Sequence, residues 1–263
     1  MPDLTARSDA DCSAPDMGVG RVEVFPDRAA MGRAAARDVD AAMRKTIAER
    51  GAVRVVFAAA PSQGSTLDAL ASAPGIDWTR VTAFHMDEYV GLQPGHSSGF
   101  GNWLRRHIFD RLPFGAVHIL PTTGDSATEA KRYAAVLNAA PIDIVVLGIG
   151  VNGHIAFNDP PVADFEDPVD VKLVELDSVC RQQQVDEGCF PDIASVPRTA
   201  LTLTIPRLLR AGKLFVVAPG ASKRAAVRAA LHGPLTTKCP ASVLRTHPDC
   251  RFYLDKESDP DDD

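Results

Sequence analysis

The chain has 263 residues, 45% of them apolar, a formal net charge of −6 and five cysteines. That length and apolar content suit one large hydrophobic core, and the acidic balance argues against a nucleic-acid or anionic-membrane partner. An odd number of cysteines with no CxxC spacing argues against a disulfide framework or a zinc site, and fits the reduced thiols of a cytoplasmic protein.

Residues 1–20 carry acids where a secretory signal needs positive charge, and they lack an apolar centre, so they read as a disordered leader. No apolar run approaches the roughly 20 residues a membrane-spanning helix requires. Residues 255–263 are strongly acidic and read as a solvated tail. Between the two ends, residues 21–254 read as a single domain.

In chain order, short β-rich runs fall at 21–25, 53–58, 81–84, 117–120, 142–147, 201–205, 214–218 and 251–254. Several are apolar on both faces, as in strands covered from both sides. Helices fall between them. After Asp27, an N-cap candidate, Met31, Ala35, Val39, Met43 and Ile47 recur every four residues until Gly51 supplies a stop. A capping box at Ser126 and Glu129 opens a second helix that runs to about residue 139. Another starts near Ala221 and ends at Gly233. The alternation predicts an α/β, Rossmann-like fold with a mainly parallel sheet and helices on both faces.

In such sheets ligands bind outside the carboxyl ends of the strands, which singles out four segments. The turn Pro61–Thr66 joins a strand to a helical stretch and offers backbone N–H groups and hydroxyls to an anion. It lacks the Walker lysine and the GxGxxG spacing, so neither a nucleoside triphosphate nor a dinucleotide is indicated. At 218–224, Lys223 and Arg224 fall in the first turn of a helix, where the macrodipole disfavours cations unless an anion is bound. After residues 81–84 comes His85-Met86-Asp87-Glu88-Tyr89, with a carboxylate where a general base on a strand end belongs. Last, an apolar strand leads into Gly148-Ile149-Gly150-Val151-Asn152-Gly153-His154, with Asp159 shortly after. Its glycines let the backbone approach a ligand closely, and its histidine can both give and take a proton near neutrality.

FHMDEYVGL and LGIGVNGHIAFNDPP resemble the two signature segments of the glucosamine-6-phosphate deaminase/isomerase family. VPRTALTLTIPRLL, FVVAPGASKRAAV and CPASVLRTHP follow in that family's order, so the resemblance covers roughly residues 21–254. It implies conversion of glucosamine 6-phosphate and water to fructose 6-phosphate and ammonia without metal or organic cofactor. Asp87 matches the base that carries a proton from carbon 2 to carbon 1, and His154 the group that opens the pyranose ring. Asn152 and Asp159 match the residues that orient that histidine. Ser62, Gly64, Ser65 and Lys223 match phosphate contacts, and Gly148 and Gly150 lie beside the sugar.

The chain departs from the family pattern at Asn152, where many members carry Asp, and at Asp159, where Glu is commoner. The segment 180–191 does not match the stretch that supplies a phosphate-gripping arginine, and Arg181 is the substitute. Residues 160–185 are expected to form a lid over the sugar. The resemblance also admits a homo-oligomer, since some relatives form hexamers. Three alternatives stay open: a deaminase for galactosamine 6-phosphate, a 6-phosphogluconolactonase-like hydrolase, and a non-catalytic sugar-phosphate sensor.

Overall fold

The computed structural model describes residues 21–262. The expected leader, 1–20, and Cys12 lie outside the described residues. The elements run β1 (Arg21–Phe25), α1 (Arg28–Arg50), β2 (Val53–Phe57), α2 (Gly64–Ala71), β3 (Val81–His85), β4 (Asp87–Tyr89) and α3 (Phe100–Leu104). They continue with β5 (Ala116–His118), α4 (Ser126–Asn138), β6 (Ile144–Leu147), β7 (Val171–Glu175), α5 (Ser178–Asp186) and β8 (Thr199–Leu203). The chain closes with α6 (Ile205–Leu209), β9 (Lys213–Val217), α7 (Arg224–His232) and β10 (Cys250–Asp255).

Seven strands form a parallel sheet in the order β1-β10-β9-β6-β2-β3-β5. Alternate residues of each strand feed separate layers, which explains why the strands are apolar on both faces. Val53, Val55 and Phe57 of β2 pack with Met31, Val39 and Met43 of α1 and Leu67 and Leu70 of α2. On the other face Val56, Phe84 and Val145 join Tyr133 and Leu137 of α4 and Val227 and Ala230 of α7. The mainly parallel sheet with helices on both faces is the expected fold class.

Local signals set the helix ends. Asp27 accepts from the Ala30 N–H at 2.7 Å, and α1 stops at Gly51, which takes φ +82°. For α4 the cap is Asp125, accepting from Thr128 N–H at 2.8 Å, one residue before the expected Ser126. Strand β8 sits two residues earlier than the run 201–205, because Thr204 caps α6 and Pro206 suits that helix's first turn.

A small antiparallel sheet, β4-β8-β7, was not expected. One of its three strands, β7, falls in 160–185, so that segment is not a free lid. It is built from β7 and α5, and α5 is the part that covers the cleft. The solvated tail also needs correction at its start. Asp255 ends β10, is buried, and accepts hydrogen bonds from Gly220 N–H at 2.9 Å and Ser258 N–H at 3.0 Å. Arg224 and Arg228 then hold the carbonyls of Lys256, Glu257 and Pro260, so the chain beyond the strand is bound down against α7.

At the end of β3, His85 is wholly buried. Its Nε2 accepts from Leu120 N–H at 2.8 Å, while the Tyr133 hydroxyl accepts from its N–H and donates to its carbonyl. Burial first, and the Arg105 charge second, push the imidazole from 6.5 down to about 3. Above pH 6.5 His85 is neutral both folded and unfolded. As pH falls from there toward 3, the unfolded chain takes up a proton that the folded chain refuses. Stability is therefore expected to fall by up to about 1.4 kcal/mol per pH unit in that window, and His85→Gln is expected to flatten that part of an unfolding-midpoint profile.

Candidate active site

After β5 the chain crosses back to β6 on the far side of β2, so the sheet reverses direction of growth between β2 and β6. A crevice opens outside the carboxyl ends of strands at such a reversal. A cleft of about 490 Å3, counted out to its mouth, lies there. Its walls come from the segments after β2 (Ser62, Gln63), β3 (Met86, Asp87), β6 (Gly148, Gly150, His154) and β9 (Lys223), with Gln183 and Gln184 from α5.

Asp87 opens β4 and pairs across the small sheet with Thr202. Its carboxyl is buried, and among the described residues no hydrogen bond offsets the loss of water. Burial first, then the charges of Glu88 and Asp159, push it well above the usual carboxylate range. Adjacent Glu88 has a different task. It accepts from the N–H groups of Tyr89 at 2.9 Å, Phe100 at 3.0 Å and Gly101 at 2.8 Å, fixing the start of α3. Burial carries its carboxyl up to about 7 against the pull of those three donors.

The loop after β6 folds around its own polar groups. His154 Nδ1 lies 2.8 Å from Asn152 Oδ1 and 2.9 Å from Asp159 Oδ1, so it carries the proton and donates. That leaves Nε2 unpaired on the ring that lines the cleft. Asn152 Nδ2 donates to Asp159 Oδ1 at 3.0 Å, closing a three-residue network. Burial alone would raise Asp159, but the hydrogen bond and charge of His154, with the Asn152 amide, outweigh it and hold the carboxyl below its ordinary value. Asp159 therefore reaches the imidazole despite being one methylene shorter than Glu. It also supplies the negative charge that Asn152 lacks.

The network rests on the small sheet: Thr202 Oγ1 accepts from Phe157 N–H at 3.0 Å, and Asn158 Nδ2 donates to the Leu203 carbonyl at 2.8 Å. Gly150 is required by contact, because a Cβ there would sit 2.2 to 2.3 Å from His154 ring atoms. Gly150→Ala is expected to displace the imidazole and lower turnover by about a hundredfold while leaving the fold intact, read by steady-state kinetics beside a melting curve. Gly148 has a similar constraint, since its Cβ would lie 2.9 Å from Gln63 Nε2.

Asp87, Asn152, His154, Asp159, Ser62, Gly148, Gly150 and Lys223 thus converge on one cleft and its immediate support. Three expected contacts do not reach its walls. Ser65 Oγ is turned toward α1, 2.5 Å from where a Cβ on Gly32 would be, because that glycine lets the two helices touch. Gly64 lies at the start of α2 beside it, outside the cleft lining. Arg181 turns its Nη2 to the loop that follows α5, donating to the carbonyls of Ile193 at 2.5 Å and Val196 at 3.0 Å, and it is not among the residues that line the cleft. Likewise Arg224 faces tail carbonyls, and Lys223 alone of that pair enters the site.

Sequence reasoning missed Gln63, Gln183 and Gln184. Gln63 was marked only by its place in the turn after β2, and the α5 residues carry no local signal. His154, Asp159 and Cys180 bring one nitrogen, oxygen or sulfur donor each within 4.8 Å of one another, all buried. Burial and the Asp159 charge push the Cys180 thiol far up, so the sulfur keeps its proton there and is a poor ligand as it stands. The four described cysteines are unpaired.

A buried carboxyl and an imidazole oriented through Nδ1 thus line one strand-end cleft of an α/β fold. The chain belongs to the glucosamine-6-phosphate isomerase/6-phosphogluconolactonase family, whose family model matches residues 26–252. It is 36% identical over 184 residues to the glucosamine-6-phosphate deaminase of Exiguobacterium sibiricum, covering 70% of this chain and 71% of that one. A deaminase of the same description from Bacillus cereus is 36% identical over 185 residues, 70% and 68% of the two chains. Among solved structures, a monomeric glucosamine-6-phosphate deaminase superposes with a TM-score of 0.82 at 27% identity, covering 90% of this chain and 98% of that one. The 6-phosphogluconolactonase of Thermotoga maritima, at 17% identity and a TM-score of 0.74 over 90% and 99% of the two chains, shares the fold. Among the described residues no helix is long and apolar enough to cross a membrane.

Proposed function

We propose that this enzyme deaminates and isomerises glucosamine 6-phosphate to fructose 6-phosphate and ammonia. The observation that carries the reading is the pairing of Asp87, buried without hydrogen bonds, with His154, held through Nδ1 by Asn152 and Asp159, in one cleft. His154 Nε2 exchanges protons with the ring oxygen and the anomeric hydroxyl, opening the pyranose to an aldehyde. The aldehyde at carbon 1 and the ammonium at carbon 2 acidify the hydrogen on carbon 2. Asp87 removes it, an ammonium proton passes to the carbon 1 oxygen to leave an enolamine, and Asp87 returns its proton to carbon 1, giving the ketose iminium, which water attacks at carbon 2 with loss of ammonia. The carbonyl at carbon 1 takes up the electron pair as an enol, and the ammonium at carbon 2 acidifies that position inductively, so the route needs no metal or organic cofactor.

Lys223, the Ser62 hydroxyl and the turns at 61–63 and 221–223 that lead into α2 and α7 form the phosphate end of the site. The substrate is accordingly a small amino-sugar phosphate, met in the cytoplasm without nucleic acid or membrane, by one domain spanning 21–254.

Purified enzyme is expected to release ammonia from glucosamine 6-phosphate and, more slowly, from galactosamine 6-phosphate, in chelator-treated buffer. No ammonia from either, with hydrolysis of 6-phosphogluconolactone instead, would move the assignment to the other branch of the family. Because Asp87 acts as a base and its carboxyl is raised, kcat/KM is expected to fall with decreasing pH at an inflection above the ordinary carboxylate range. Glu88→Gln removes one of the charges that raises it, and is expected to move that inflection to lower pH.

A further inference from the structure

Lys223 is buried, and among the described residues it is the only lysine or arginine in the cleft wall. Its ammonium already has a carboxylate: Nζ donates to Glu187 Oε1 at 3.2 Å. Glu187 lies at the end of α5 and is held there from two sides. Gln183 Nε2 donates to the same Oε1 at 2.8 Å, while Gln183 Oε1 accepts from Val151 N–H at 3.0 Å on the histidine loop. The second oxygen, Oε2, is buried with no hydrogen-bond partner. Glu187 is not itself in the cleft wall, so it sits behind Lys223 while the ammonium faces the ligand.

Two opposite charges 3.2 Å apart, the lysine buried and the carboxylate half-buried, cancel much of the field that a ligand anion would feel. Arg181 and Arg224 turn toward main-chain carbonyls and place no guanidinium in the cleft wall. A phosphate dianion entering this corner meets a lysine whose charge is already balanced. We propose that Glu187 is a specificity-determining residue that weakens the hold of Lys223 on phosphate, so that the site discriminates against substrates by the negative charge of their distal group. The proposal rests on Lys223 facing the distal group, as in the function proposed above. It does not depend on the reaction at the other end.

The test is binding of inorganic phosphate, followed by isothermal titration at pH 8 to the full chain, its Glu187→Gln and Glu187→Asp variants, and Lys223→Met. Glu187→Gln keeps the hydrogen-bonding shape and removes the charge. It is expected to tighten phosphate about tenfold, with Glu187→Asp close to the parent and Lys223→Met showing no measurable binding. In parallel, the KM for glucosamine 6-phosphate is expected to fall in Glu187→Gln more than kcat changes. Unchanged or weaker phosphate binding in Glu187→Gln would overturn the proposal, the weaker result meaning that Glu187 serves only to position Lys223. Phosphate binding that survives Lys223→Met would overturn it too. If Glu187→Gln binds phosphate more tightly while no variant releases ammonia, the inference stands and the deaminase reading falls.

Discussion

Asp87→Asn is expected to lower ammonia release by three to four orders of magnitude while leaving the protein at least as stable as the parent. The loss follows from the role of the carboxylate, since an amide cannot take a proton from carbon 2, and a positioned base contributes roughly a hundred- to ten-thousandfold. The stability side follows from its surroundings. The Asp87 carboxyl makes no hydrogen bond that its loss would break, and it is buried beside Glu88 and Asp159, whose charges oppose its own. Removing a charge from such a place relieves the fold. A melting midpoint that holds or rises beside collapsed turnover separates a catalytic loss from misfolding. Full activity in Asp87→Asn would remove Asp87 from the mechanism.

The second large effect is expected at His154→Gln. The amide preserves a polar group beside Asn152 and Asp159 but cannot shuttle a proton between the ring oxygen and the anomeric hydroxyl. Turnover of glucosamine 6-phosphate is expected to drop about a hundred- to a thousandfold. An amino-sugar phosphate lacking the hydroxyls at carbons 4 and 5 cannot close a ring and has no need of the step. His154→Gln is expected to process that analogue at close to the parent rate, whereas Asp87→Asn is not. Equal loss on both substrates would mean that His154 does more than open the ring. Asp159→Asn is expected to resemble His154→Gln in milder form, because it leaves the imidazole in place and removes the charge 2.9 Å from Nδ1.

Much of this arrangement was legible because a parallel sheet places its chemistry by rule. The runs 53–58, 81–84, 142–147 and 214–218 are strands to within a few residues, and the polar groups just past them meet at one edge. Asp87, His154, Ser62 and Lys223 could therefore be picked out one strand end at a time. Side-chain direction was not legible. Ser65 sits in an anion-binding type of turn, yet its hydroxyl goes to α1 because Gly32, 33 residues earlier, allows the approach. Arg181 has the charge for phosphate, but the carbonyls of Ile193 and Val196 claim it. Strand β4 is three residues long, too short for any alternation to register. Glu187 lies in the segment 180–191 that matched no family stretch, and its pairing with Lys223 links positions 36 residues apart that only the folded chain brings together.

The reading centres on one cleft in which His154 opens a sugar ring and Asp87 moves a carbon-bound proton, so the most direct measurement counts both products. Wild-type enzyme incubated with glucosamine 6-phosphate in metal-free buffer is expected to form ammonia and fructose 6-phosphate in equal amounts, and Asp87→Asn neither. Absence of both products from the wild-type reaction, or ammonia without the ketose, would contradict it.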